Sequence, residues 1–286
     1  MKQILLLLTA FFISCSVSVP HNAPVTTIAK GVDILQQDYE ISKGGERLLT
    51  KLFIFDVTLS NRISLKATTA DDSNTAICSS HERNTAIAPI SKQLEMMQRN
   101  NKQIKVLGGV NSDFFHIKSS NMICGVMYRN GECLKGSYDD QSTIFALLKN
   151  GTAVCVTSAE YEVMDKSLIL EAVSGRQMLV NDNVAQSSES KTFHPRTAVG
   201  VTKDGKRVFI LVADGRRKGY SNGLSYADMV TIFKKLGAYD ALNLDGGGSS
   251  CFSINAGRGK FAPLNRPSDK SGERAVPNGI AVIYRR

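Results

Sequence analysis

MICGVMYRNGECLK, residues 122–135, followed closely by TIFALLKNGTAVCV, residues 143–156, is the stretch that decides the fold class. Each piece is an apolar run rich in β-branched or long side chains, then an Asn-Gly pair, then a second such run. Asn and Gly tolerate the positive φ angles that tight turns between antiparallel strands require. Turns at Asn130-Gly131 and Asn150-Gly151 therefore predict two hairpins in succession, and with them an antiparallel sheet. A doubly wound parallel sheet would instead place helical crossovers between its strands.

The flanking sequence agrees. Upstream, residues 52–59 and 63–68 read as strands around a turn at Ser60-Asn61-Arg62. Pro89 opens a helix with Ile90, Leu94 and Met97 at helical spacing, ending near Asn100-Asn101. A strand entered at Lys105-Val106-Leu107 then runs into Gly108-Gly109-Val110-Asn111. Downstream, Thr197–Val201 and Arg207–Val212 are strands joined by Lys203-Asp204-Gly205. Ser225 and Asp228 have capping-box spacing ahead of Met229, Ile232, Phe233 and Leu236, an amphipathic helix stopped by Gly237. Ala241–Leu244 is a short apolar strand delivering Asp245 at its end, and Gly279–Tyr284 is a further strand. The expectation is an α+β protein: a single mixed or antiparallel, sheet-rich domain with a few packed helices, spanning residues 31–286.

The first residues have another character. Lys2 precedes a nearly unbroken apolar run, Ile4 to Ile13, too short to span a bilayer and typical of a secretory signal. Phe12-Ile13-Ser14-Cys15 resembles a relaxed lipobox, so residues 1–15 are expected to be a lipoprotein signal with Cys15 lipidated. Residues 16–30, with Pro20 and Pro24, are expected to be a tether. The expected location is outside the cytoplasm, facing the periplasm or cell surface, with membrane contact through the lipid alone.

Apolar content of 42% and charged content of 21% exclude a disordered or coiled-coil chain. The net charge of +9 favours an anionic partner. Its Lys and Arg are scattered apart from Arg216-Arg217-Lys218, without interleaved aromatics, so no nucleic-acid partner is expected. Beyond Cys15 there are Cys78, Cys124, Cys133, Cys155 and Cys251, without a C-x-x-C spacing, so no zinc knuckle is expected. In the first hairpin Cys133 faces Tyr128 and Cys124 faces Ser137, which keeps the two sulfurs apart; buried free thiols are expected. His21, His81, His116 and His194 are dispersed, and no metal or cofactor is expected. A hard cation between Asp214 and Asp245 is the one metal reading left open.

Chemistry concentrates at strand ends. Leu244-Asp245-Gly246-Gly247-Gly248-Ser249-Ser250 puts a carboxylate beside a glycine run whose N–H groups could cradle an oxyanion. Ala213-Asp214-Gly215-Arg216 pairs a carboxylate with a guanidinium after another strand. Pro195-Arg196 enters a third, with His194 beside it, and Asn111-Ser112-Asp113-Phe114-Phe115 leaves a fourth. Each alone suits a turn; together they imply a shared site.

In order and spacing, the segments Pro195–Gly200, Asp214-Gly215-Arg216, Gly223-Leu224-Ser225, Leu236-Gly237-Ala238 and Ala241–Ser249 resemble the phosphodiester glycosidase family. The resemblance extends upstream to Asn111, Phe115, Ser174-Gly175 and Leu179-Val180, and downstream to Arg274–Asn278. It departs at Arg176-Gln177, where the family often reads Gly-Pro, and at Asp113, where many members carry a small residue. It implies a hydrolase that cleaves the sugar C1–O bond of a sugar-1-phosphodiester such as that of N-acetylglucosamine, acting on a glycan substrate. Asp245 is then the expected base or nucleophile, with Asp214 and Asp113 behind it. Arg196 and the Gly246, Gly247, Gly248 and Ser249 amides would hold phosphate, with Arg216, Arg274 and His194 nearby. Asn111 and Phe115 would meet the sugar. A metal-dependent phosphodiesterase and a non-catalytic glycan-binding protein are the alternatives.

Overall fold

The computed structural model describes residues 25–43, 46–74, 85–139, 141–186 and 192–286. The signal segment, Cys15, most of the expected tether, His21, Cys78 and His81 lie outside them.

Strands and helices are numbered along the chain. The largest sheet runs in the order β1 (Val25–Ala29), β2 (Val32–Lys43), β3 (Glu46–Thr58), β14 (Arg207–Ala213), β13 (Arg196–Val201), β15 (Asp240–Leu244), β11 (Met178–Asn181) and β12 (Val184–Ala185). A second sheet is β7 (Glu132–Lys135), β6 (Met127–Arg129), β10 (Ile169–Gly175), β8 (Thr143–Leu148) and β9 (Ala153–Thr157). The third is β17 (Lys260–Pro263), β16 (Phe252–Gly257), β5 (Ile104–Asn111), β18 (Asn278–Arg285) and β4 (Ile63–Thr69). The helices are α1 (Ile90–Asn100), α2 (Ser158–Val163) and α3 (Tyr226–Leu236).

The expectation of a single sheet is thus corrected to three, and each pairing among these strands is antiparallel. Local sequence specifies strands and hairpins, but which hairpins share a ladder depends on packing between distant segments. The end of the expected tether also changes: Val25–Ala29 is an edge strand against β2.

Both predicted hairpins form. Asn130 and Gly131 have φ of 56° and 80°, the two left-handed residues of a tight hairpin turn. Tyr128 pairs with Cys133 as the register requires, but a bulge then sets Met127 opposite Lys135. Cys124, Cys133, Cys155 and Cys251 are free thiols; Cys155 and Cys251 are buried, whereas Cys133 is exposed and Cys124 intermediate.

The sheets share one core. Along β14, Val208, Ile210 and Val212 point into it, while Phe209, Leu211 and Ala213 point to the opposite face. There they meet Met229, Ile232 and Phe233 of α3, whose capping box at Ser225 and Asp228 is present. A strand covered on both faces reads as a continuous apolar run, which is how β14 appears in the sequence. The ring of Phe252 stacks on Phe55 at 4.0 Å between centroids, joining the third sheet to the first. On the outer side of the third sheet, α1 lays Ile90, Leu94 and Met97 against Val106, Ala281 and Ile283.

Candidate active site

Antiparallel pairing brings the polar strand ends together. In the large sheet Arg196 opens β13 opposite Ala213, and Thr197 pairs with Leu244. Arg196, Asp214 and Asp245 therefore leave or enter neighbouring strands at one end of the sheet. In the third sheet the end of β5 at Asn111 meets the start of β18, and Val110 faces the start of β16 at Phe252. The Asp245 N–H donates to the Ser112 carbonyl at 2.8 Å, and the Arg176 N–H to the Asn243 carbonyl at 3.0 Å. Strand ends of all three sheets converge on this point.

Asn111 is the tie. Its Nδ2 donates to the Asp245 carbonyl at 2.6 Å, while its Oδ1 accepts from Thr197 Oγ1 at 2.8 Å and from the Cys251 N–H at 3.1 Å. The side chain is buried and spent on backbone and core partners. Its geometry is that of a positioning residue for Asp245, where the sequence suggested a sugar contact.

Asp245 itself is held by polar neighbours. Burial pushes its carboxyl up to about 6; a Ser249 hydrogen bond, the Arg274 charge, the Gly246 N–H and the Arg176 charge oppose that rise. Ser249 Oγ accepts from Arg274 Nη1 at 3.2 Å, and Arg274 grips Asp269 with two bonds of 2.7 and 3.0 Å. A carboxylate, a hydroxyl, a guanidinium and a second carboxylate thus form a chain from the site to the Asp269 loop. A Cβ at Gly248 would lie 2.1 Å from both Arg274 Nη2 and Asp269 Oδ1, so this chain requires glycine there.

The glycine amides do less than the sequence implied. The Gly247 N–H donates to the Pro195 carbonyl at 2.9 Å and the Ser249 N–H to the Gly246 carbonyl at 3.2 Å. Positive charge near Asp245 comes instead from arginines. Arg216 has a left-handed backbone with φ of 59°, a strained conformation for so long a side chain. It packs on Gly247, where an added Cβ would lie 3.1 Å from its Nη2, and no hydrogen bond ties the guanidinium among the described residues. Arg196 is buried over the Tyr226 ring at 4.3 Å, its Nε donating to the Leu224 carbonyl at 3.1 Å. Burial and the charges of Arg196 and Arg216 lower the pKa of His194, whose buried Nδ1 has no hydrogen-bond partner among the described residues.

Asp214 and Asp113 occupy other roles. Asp214 accepts from Tyr220 Oη at 2.9 Å, from Asn265 Nδ2 at 2.9 Å and from the Arg266 N–H at 3.1 and 2.9 Å. These bonds saturate a carboxylate that is 1% exposed and whose pKa is raised by burial. The cation reading that used Asp214 with Asp245 finds the first already engaged. Asp113, pushed up to about 7 by burial, accepts from Asn278 Nδ2 at 2.8 Å, the Ser174 N–H at 3.1 Å and Ser112 Oγ at 3.1 Å. Both carboxylates anchor loops. Among the described residues no three His, Cys, Asp or Glu side chains gather as metal ligands.

Two neighbours were not singled out from the sequence. Arg176 lies over the Phe114 ring at 5.2 Å, pairs with Asp139 at 3.0 Å and acts on Asp245 through its charge. Phe115 packs against the α1 core instead. The departure from the family pattern at Arg176 was the one signal available for it.

The fold is shared with the catalytic domain of zebrafish N-acetylglucosamine-1-phosphodiester alpha-N-acetylglucosaminidase auto-inhibited by its pro-peptide: TM-score 0.65 at 18% identity, covering 92% of this chain and 88% of that one. A hypothetical protein from Synechocystis has the same fold at TM-score 0.56 and 14% identity, covering 93% of this chain and 64% of that one. The sequence model of the phosphodiester glycosidase family matches residues 105–283, and the chain belongs to that family. The mouse N-acetylglucosamine-1-phosphodiester alpha-N-acetylglucosaminidase is 26% identical over 164 residues, 51% of this chain and 31% of that protein. The SPbeta prophage-derived uncharacterized protein YomE of Bacillus subtilis is 37% identical over 112 residues, 37% of this chain and 16% of that protein. The chain thus spans less than a third of the length of these two relatives.

Replacing Asp214 by Ala strands the Tyr220, Asn265 and Arg266 donors, so stability should fall by about 2–4 kcal/mol. Urea unfolding measures this, and an unchanged midpoint would contradict the anchoring role.

Proposed function

We propose that this protein is a hydrolase of sugar-1-phosphodiesters that cleaves the sugar C1–O bond and releases the sugar and a phosphomonoester. The observation that carries the reading is the strand-end carboxylate of Asp245, under the charges of Arg274 and Arg176 and followed by Gly247, on which the Arg216 guanidinium packs. Family membership supports the phosphodiester class, and the mouse and zebrafish relatives' names support N-acetylglucosamine as the sugar to try first.

The chemistry suits these groups. A phosphate leaving group is weakly basic and already anionic, so a strong general acid is not needed. Positive charge must instead hold the phosphate while the sugar ring gains oxocarbenium character. Arg216, the uncommitted guanidinium, is the first phosphate contact in this reading, with Arg196 behind it. Asp245 activates water or attacks C1, and Ser249 and Arg274 fix its orientation. The C1–O bond breaks, the bridging oxygen leaves with phosphate, and the oxygen of water ends on C1.

Hydrolysis of an N-acetylglucosamine-1-phosphodiester in ¹⁸O-labelled water tests this directly. Label should appear in the free sugar; label in the phosphomonoester would mean P–O cleavage and a phosphodiesterase.

A base must be deprotonated to act, and Asp245 with a pKa near 6 is mostly ionised at neutral pH. The pH profile of kcat/KM should therefore rise through about pH 6 and level off above it. Asp245→Asn should lose about 10²–10⁴-fold in kcat with the thermal midpoint preserved. Activity retained in that variant would remove Asp245 from the chemistry.

The proposed setting is outside the cytoplasm, with a lipid on Cys15, supported by the sequence of residues 1–15. Among the described residues no helix is long and apolar enough to cross a membrane. Cys15→Ser should shift the protein from the membrane to the soluble fraction, and an unchanged distribution would exclude the anchor.

A further inference from the structure

Among the described residues three hairpin turns place successive residues at positive φ. Asn130-Gly131 has 56° and 80°, Asp182-Asn183 has 49° and 61°, and Gly257-Arg258-Gly259 has 101°, 52° and 72°. The first two use short polar residues or glycine, which the left-handed region accepts. Arg258 gains nothing locally from that conformation, so its side chain is the feature to explain.

The turn, with Gly257 paired to Lys260, rims a cleft of about 760 Å³. Arg99, Lys102, Lys105, Arg258, Lys260 and Arg286 line it, and Glu95 is the one side-chain carboxylate in its wall. All six cationic residues are exposed. Among the described residues only Lys260 meets an acid, Glu95, at 3.7 Å. Like charges gathered around one concavity repel one another and create a focused positive potential that an anion relieves.

The cleft's chemistry narrows the ligand. It has no aromatic wall on which nucleic-acid bases could stack. None of the exposed large apolar residues (Val25, Ile87, Ile117, Val163, Leu168, Val184) lines it, so nothing there would insert into a bilayer. It is also remote from Asp245. Cys251, bonded to Asn111, precedes β16, and that strand carries the chain about 20 Å to the Arg258 turn.

We propose that this cleft is a second anion site, which holds a flexible phosphate-bearing chain by charge alone. The site stands independently of the reaction proposed above.

The test is fluorescence anisotropy of labelled inorganic polyphosphate with the full chain. Affinity should fall steeply as salt rises, as counterions compete for the cations. Arg258→Asn should weaken binding several-fold while leaving the thermal midpoint equal or higher, because Asn suits the turn. The triple variant Arg99→Ala, Lys102→Ala, Arg258→Asn should weaken it about tenfold or more. Undetectable binding at low salt, or equal affinity in the triple variant, would overturn the proposal. So would loss of binding on Arg216→Ala alone, which would assign the polyanion to the Asp245 site. Tighter binding of a single-stranded oligonucleotide or of anionic lipid vesicles would overturn the assignment to a phosphate chain.

Discussion

One buried carboxamide fixes the geometry on which the site depends. Asn111 ends β5 and bonds at once to the backbone of Asp245, the hydroxyl of Thr197 and the N–H of Cys251. It therefore sets the third sheet against the first at the point where the catalytic candidate leaves its strand. An amide is suited to this because it offers a donor and an acceptor from one rigid plane. A carboxylate could not donate to the Asp245 carbonyl, and an apolar residue would strand buried partners.

Around that tie the electrostatics are a balance. Burial disfavours the charged form of Asp245, and the arginines and Ser249 favour it. Arg274 is itself restrained by Asp269, so its charge is partly compensated and its position fixed. Arg216 lacks such a restraint and sits on a strained backbone beside Gly247. Strain of this kind persists where the surrounding structure imposes it, and here the imposing element is the loop that follows β14. The two arginines therefore differ in kind: one supports the carboxylate, the other remains available to a ligand.

The local elements were legible and the assembly was not. The Asn-Gly turns, α1, α3 with its capping box, and the strands ending at Asn111 and Asp245 follow from periodicity and turn chemistry. The division into three sheets does not, because it is decided where β3 meets β14 and β4 meets β18, far apart in sequence. Val25–Ala29 was hidden by its exposure: an edge strand of Val, Thr and Ile after Pro24 has no buried face to advertise. For the candidate site, motif order singled out Asp245, Arg196, Arg216 and Arg274 together with Asp214 and Asp113. It could not distinguish Asp245, held by Ser249 and the arginine charges, from Asp214 and Asp113, whose oxygens are spent on internal donors. Nor could it tell Phe114, beneath Arg176, from Phe115, which turns toward α1.

The position of β18 has a kinetic consequence. This strand lies between β5 and β4, and its first residue, Asn278, bonds to Asp113 across a separation of 165 residues. Until it inserts, the third sheet is two unpaired halves and the floor beneath Asp245 is missing. Long-range antiparallel closure of this kind carries a large loop-entropy cost and is slow compared with hairpin formation. The bond from Asn278 to Asp113 can form only once this strand has inserted, and a chain arrested before that step would present raw strand edges beside an unfinished site.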